Sequence, residues 1–278
     1  MTALRTIVLA IVVMGLVALP ASAQTPRMDA TGGGFAGTSV DETASYFNPA
    51  GLPLLQTFGT NLSPWPSRAS ANVLVDGPED FNQFSAFYAG RASNNANGWG
   101  AGYIRSDNHF EEDAFSLGYG HNLDNGFTVG VSLFHQSWDF EAIDTEQNGA
   151  LDDDATSFDL GAIYRRELPM NVWRFGLWLE DVADEYGGPF VHVGAAVELP
   201  AGVDIGATIF DLTDEGDTTL GIGAEWEVPM SPFIVRAGNH DGDFSAGAAY
   251  RWSNFEFGVS WIDLEDDEWI TAGATGCF

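Results

Sequence analysis

The run FSAGAAYRWSNFEFGVSW, residues 244–261, carries the fold in its spacing. Phe244, Ala246, Ala248, Tyr250 and Trp252 fall on one face of an extended chain; Ser245, Gly247, Ala249 and Arg251 fall on the other. After a break at Ser253-Asn254 the pattern resumes, with Phe255, Phe257, Val259 and Trp261 alternating with Glu256, Gly258 and Ser260. Successive strand side chains point to opposite faces, so a period of two marks a strand with one apolar face. The same rhythm runs through Leu220–Val228, with Glu225 and Glu227 on the small and polar face. It recurs in Val191–Leu199, where His192 and Glu198 take that face.

Working outward, the spacing predicts about fourteen strands, near 70–76, 82–91, 97–106, 112–122, 126–138, 155–167, 172–182, 189–199, 202–212, 218–228, 231–240, 243–252, 253–263 and 268–278. A soluble sandwich also alternates, but it turns the apolar face inward. Two features favour a membrane barrel. Trp99, Trp138, Trp173, Trp226, Trp252 and Trp269 sit near strand ends, as an interfacial girdle requires. The chain also closes on Phe278 after the alternating run Ile270, Ala272, Ala274 and Gly276, which resembles the terminal signal read by barrel-assembly machinery. The expected fold is all-β: a transmembrane antiparallel β-barrel with an N-terminal plug-like segment. Closure pairs every strand edge, so no backbone group faces lipid unsatisfied.

The connections fall into two sets. Asp124-Asn125-Gly126, Pro200-Ala201-Gly202, Pro229–Pro232 and Ser253-Asn254 are short turns, the first of hairpin type. The alternate connections are acidic: Asp107 with Glu111–Asp113, Asp139–Asp154, Asp184-Glu185, Asp214–Asp217, Asp241–Asp243 and Glu265–Glu268. Charge played no part in placing the strands, yet it sorts to one rim. The short turns are expected on the periplasmic side.

The chain carries a net charge of −30, and all ten of its basic residues are arginine. That excludes nucleic acid as a partner, because phosphates would be repelled. Cys277 is the only cysteine, so no intrachain disulfide forms. Arg5, the apolar run Ile7–Leu19 and the small residues Ala21-Ser22-Ala23 read as a signal peptide over 1–23, cleaved after Ala23. The run is too short for a membrane helix. Residues 24–56 lack periodicity, and 57–278 make up the barrel. The expected location is the bacterial outer membrane, among its lipid and lipopolysaccharide.

Within 24–56 lies TGGGFAGTSVDETASYFNPAGL, residues 31–52. A glycine stretch with Gly33 and Gly34, then Asp41, Ala44, Tyr46-Phe47 and Asn48-Pro49-Ala50-Gly51-Leu52 form its pattern. It resembles the N-terminal segment of the FadL superfamily, and especially the shorter PorV/PorQ-like outer-membrane proteins. Leu179–Ala183 followed by Gly194-Ala195-Ala196 looks similar too. The resemblance implies that the segment is a plug or hatch inside the barrel, and that the barrel passes small hydrophobic compounds such as long-chain fatty acids. Read from the residues alone, a turn leading into the first strand is the alternative to a plug. The chain lacks the long outer loops of the larger FadL transporters. A PorV/PorQ-like scaffold holding a secreted protein, and a general porin, therefore stand as alternatives.

The alternation turns Arg165, Arg174, Glu180, His192, Glu198, Glu225, Glu256 and Arg251 toward the lumen. Charges of both signs there must pair or be hydrated, so a cross-linked polar lumen is expected. Asp144, Glu146, Asn148 and Asp152–Asp154 are oxygen ligands of the calcium-loop type, but Ala155 replaces the closing Glu. They read as a solvated acidic loop. The histidines, His109, His121, His135, His192 and His240, show no metal spacing. With no nucleophile elbow, phosphate loop or ligand cluster, the reading is a non-enzyme with no cofactor and no metal.

Overall fold

The structure, a computed structural model, describes residues 25–58, 66–77, 81–107, 110–140, 151–185, 187–213, 218–264 and 267–278. The expected signal peptide, His109, the tip of the acidic loop at 141–150, and the acidic positions 214–217 and 265–266 lie outside the described residues.

Fourteen antiparallel strands form one closed barrel. In chain order they are β1 (Ser67–Asp76), β2 (Asn82–Arg91), β3 (Asn97–Asp107), β4 (Phe110–Asn122), β5 (Phe127–Phe140), β6 (Leu151–Leu168) and β7 (Asn171–Glu180). The second half runs β8 (Phe190–Leu199), β9 (Val203–Phe210), β10 (Thr219–Glu227), β11 (Phe233–His240), β12 (Asp243–Trp252), β13 (Phe255–Leu264) and β14 (Asp267–Cys277). Each strand pairs with its sequence neighbours, and β1 pairs with β14 from Arg68↔Cys277 to Asp76↔Ile270. Two bonds finish the seam: the Phe278 amide donates to Ser67 O at 2.9 Å, and the Ser67 amide donates back at 3.1 Å.

The apolar faces turn outward. Leu117, Phe175 and Phe257 expose 54%, 48% and 47% of their surface, whereas inward Ser116, Thr208 and Ser260 expose at most 1%. An exposed apolar wall of this extent around a closed barrel is the surface that lipid covers. No helix among the described residues is long and apolar enough to cross a membrane; the strands do so. The short turns use left-handed backbone where they reverse: Asp124, Asn125 and Gly126 have φ of 67°, 56° and 86°.

Two expectations need correcting. β5 and β6 stay paired from Phe127↔Tyr164 to Phe140↔Leu151, and β4 begins at Phe110. The acidic positions 111–113 and 152–154 therefore belong to strands rather than loops, because backbone pairing continues past the lipid once both faces meet water. The girdle also changes. Trp138 is paired with Glu112 and Trp269 with buried Ile262, so register turns both tryptophans inward. Trp99, Trp173, Trp226 and Trp252 remain outside, and all four sit at the short-turn rim.

Residues 25–58 fill the barrel. A short helix, α1 (Pro26–Ala30), is followed by 3-10 turns at Ala36–Thr38, Glu42–Ser45 and Pro49–Leu54. All but Ala36–Thr38 begin where the sequence supplies a capping side chain. Thr25 Oγ1 accepts from the Met28 amide at 3.2 Å, Asp41 Oδ1 from Thr43 at 3.0 Å, and Asn48 Oδ1 from Ala50 at 3.1 Å. α1 packs on β11–β14, the second turn on β1–β4, and the third on β2–β6. The plug thus touches wall strands around the barrel.

Candidate functional site

The plug rests on bare backbone. Inward glycines give the wall no side chains where the plug crosses it. A Cβ built on Gly176 would collide with Gly37 O, and one on Gly161 with the Asn48 side chain. Glycine is required at such approaches. Asn48 locks the seat, its Nδ2 donating to Gly37 O at 2.8 Å within the plug and to Leu177 O of β7 at 3.2 Å. Gly37 N donates to Thr208 Oγ1, and Thr208 Oγ1 donates to Gly34 O, each at 3.1 Å.

The other plug residues singled out from sequence divide by role. Leu52 is fully buried and Gly51 backs onto Ser39 O, with Pro49 and Ala50 between wall glycines. Gly33 takes φ of 67° beside Phe210 and His240, and Gly34 presses on Gly206 and Gly223. Asp41 faces the opposite way, into an ionic network.

Above the plug, on the acidic-rim side, seven rings run in contact. Phe134 lies 5.3 Å from Tyr46, Tyr46 5.4 Å from Phe47, and Phe47 5.9 Å from Trp178. Trp178 stacks on His192 at 4.1 Å, His192 meets Phe210 at 5.8 Å, and Phe210 meets His240 at 5.3 Å. His192 Nδ1 accepts from the Asp211 amide at 3.1 Å, which leaves Nε2 to donate to Glu180 at 3.0 Å. Trp178 Nε1 and His240 Nε2 are buried with no hydrogen-bond partner. The band is an apolar floor carrying a few unspent polar contacts.

Below it, toward the short turns, the lumen is ionic. Arg27 of the plug binds Asp41 at 2.5 Å and Glu225 of β10 at 3.2 Å. Arg236 bridges Glu225 and Glu256, both at 2.6 Å; Arg251 continues to Glu256 at 2.9 Å and Glu227 at 2.5 Å. Arg68 holds Glu42 at 2.6 Å. Burial opposes the ionisation of Asp41, but Arg27, Arg68 and the two Thr43 donors outweigh it and hold this carboxyl far below the usual range. Glu42 goes the other way: burial pushes it up, and Arg68 only partly offsets that. Arg174 pairs with Glu198 and Arg165 with Glu167. Beneath the plug opens a vestibule of 680 Å³ whose wall includes these arginines and Arg91, seven of the chain's ten.

All eight lumen candidates therefore face inward, but at two levels: Glu180 and His192 with the rings, the other six with the ionic network. Sequence reading missed Arg27, Glu42, Arg68 and Arg236, and it missed the ring partners Phe134, Trp178 and Phe210. Arginine scarcity was the available signal, since each arginine of so acidic a chain carries unusual weight.

No protein-family model and no curated protein sequence match the chain. Solved structures do match. The monoaromatic hydrocarbon channel CymD superposes with a TM-score of 0.61 at 13% identity, over 93% of this chain and 98% of that one. A deletion mutant of the monoaromatic hydrocarbon channel TodX gives 0.58 at 11%, over 93% and 99%. A FadL homologue of Pseudomonas aeruginosa gives 0.55 at 11%, over 92% and 97%. The closed fourteen-stranded barrel described above is thus the fold of FadL-type hydrocarbon channels.

Proposed function

We propose that this barrel lets small hydrophobic compounds pass the outer membrane passively, with residues 25–58 as its gate. The ring band lying across the plug carries the reading. An apolar compound that has passed the acidic rim meets the band of Tyr46, Phe47, Trp178 and Phe210 before the ionic network below the plug. Its removal from water at about 25 cal/mol per Å² drives it there, and ring edges and faces offer further contact. Passage then requires the plug to shift off its glycine seat. The match to hydrocarbon channels supports the same reading, as does the motif around Asn48. Within it, long-chain fatty acids and monoaromatic compounds are the substrate classes to compare. The filled lumen weighs against a general porin.

The test is uptake by cells whose outer membrane lacks other hydrocarbon channels. Expression of this chain should speed entry of labelled toluene or dodecanoate, and Trp178→Ala should remove most of the gain. Unchanged entry of both compounds would overturn the reading. A protein partner retained by the purified barrel, with no small ligand, would point to the PorV/PorQ-like scaffold instead.

A further inference from the structure

We infer that the vestibule on the short-turn side is a binding site for small organic carboxylates, with Arg165 and Arg174 as its anion-binding pair. The two arginines stand directly opposite one another on β6 and β7, and both face the cavity. Directly opposed side chains lie about 5 Å apart at Cβ, and like charges there repel. The two side chains share this sector of the wall and reach to separate carboxylates, Arg165 to Glu167 and Arg174 to Glu198.

The chain's own carboxylates hold the cavity's arginines unevenly. Arg27, Arg68, Arg236 and Arg251 are each held by at least one carboxylate whose side chain is no more than 7% exposed. The sector of Arg165 and Arg174 differs. Among the described residues Arg165 pairs only with Glu167, which is 66% exposed and so weakly bound in water. Arg174 has Glu198, one of whose oxygens is shared with Gln56 Nε2 at 2.6 Å, and its own Nε is buried without a partner. Arg91, on the same cavity, has no ion pair among the described residues; its Nε donates to Leu55 O at 2.8 Å. Asp204 faces this space too, in the field of Arg27 and Arg174 and of the carboxylates Glu198 and Glu225. The cavity wall carries seven guanidiniums and six carboxylates, and Asp41 and Glu42 of the plug pair with Arg27 and Arg68, so the charge open to an anion is that of Arg91, Arg165 and Arg174.

The forked guanidinium matches the two oxygens of a planar carboxylate. Leu54, Phe58 and Leu199 line the same cavity and would cover an apolar body. The site lies on the far side of the plug from the ring band, and it does not depend on passage.

Calorimetric titration of the folded barrel in a non-ionic detergent tests this, with benzoate as probe and benzyl alcohol as its uncharged counterpart. Benzoate should bind saturably and roughly tenfold tighter than the alcohol. Rising salt should weaken it. Arg165→Gln, at a partly exposed position, should lose most of that margin, and Arg91→Gln part of it. Equal binding of the two probes, no binding of benzoate, or benzoate affinity unchanged in both variants would overturn the site. Because titration reads binding alone, failed hydrocarbon uptake with intact benzoate binding would sink the channel reading and leave this one standing.

Discussion

On β7, Trp173, Phe175 and Leu177 face outward and alternate with Arg174, Gly176 and Trp178 inside. The outer set meets lipid and needs only to be apolar. Each inner residue meets one particular partner: Glu198 for Arg174, Gly37 for Gly176, and Phe47 with His192 for Trp178. One strand thus obeys two rules. The outer wall is specified by composition and tolerates exchange of one apolar residue for another. The inner wall is specified residue by residue, because plug and wall side chains pack against it at named contacts.

The sharpest way to break that contrast is Arg236→Ala. Arg236 lies between Glu225 and Glu256, with its side chain 2% exposed. Its loss leaves two buried carboxylates short of a counter-charge, a defect worth about 3–5 kcal/mol. Urea unfolding in detergent should show a loss of that order, while Val235→Ala on the outer face should cost under about 1.5 kcal/mol.

The plug carboxylates give a paired test in pH. Asp41 has a depressed folded-state pKa, so its stabilisation is present above the ordinary carboxylate range and is lost as pH falls through the lower folded value. Asp41→Asn should loosen the plug near neutrality by on the order of 2–3 kcal/mol, with the difference from the parent fading in acid. Glu42 has a raised folded-state pKa, so it penalises the seated plug once pH exceeds its ordinary value. Glu42→Gln should loosen the plug less than Asp41→Asn at neutral pH, because relief of the buried carboxylate partly offsets the loss of Arg68's partner. Protease sensitivity of residues 25–58 across pH reads both. Matching behaviour of the two variants would refute the assignment.

The sequence made the outer rule plain and the inner one only in part. Alternation in Phe244–Trp261 put every residue on its correct face, since lipid selects on polarity and polarity has a period. It could not show that Arg27 crosses from the plug to Glu225, 198 residues away in the chain, because no local pattern encodes such a partner. The inward turn of Trp138 and Trp269 was hidden for a related reason. Tryptophan near a strand end suits an interface equally well from either face, and only register decides. The plug was legible as a motif, whereas its seat was not: wall glycines read as a generic small face until Gly37 and Asn48 are seen resting on them.

That seat supplies a third test. Gly176→Ala places a methyl group against Gly37 O and should destabilise plug seating by about 1–3 kcal/mol, the usual cost of overpacking. Ala248→Val on the outer wall adds more volume and should change nothing beyond about 0.5 kcal/mol. Ion conductance in planar bilayers separates them: raised, noisy current for Gly176→Ala and parental behaviour for Ala248→Val. Equal currents would mean that the plug does not depend on its glycine seat.

Phe278 offers the smallest equilibrium effect and the clearest separation of folding from assembly. Its backbone closes the seam with Ser67, but its ring is 52% exposed and meets Phe255 edge-on at 6.5 Å and the backbone of Gly276. Phe278→Ala keeps both seam hydrogen bonds, so the folded barrel should lose no more than about 1 kcal/mol. If the terminal aromatic is a signal for the assembly machinery, the variant should still accumulate unassembled in cells, while refolding into detergent at the parental rate. A parental level in the membrane would show that Phe278 is one more lipid-facing side chain, governed by the permissive rule of the outer wall.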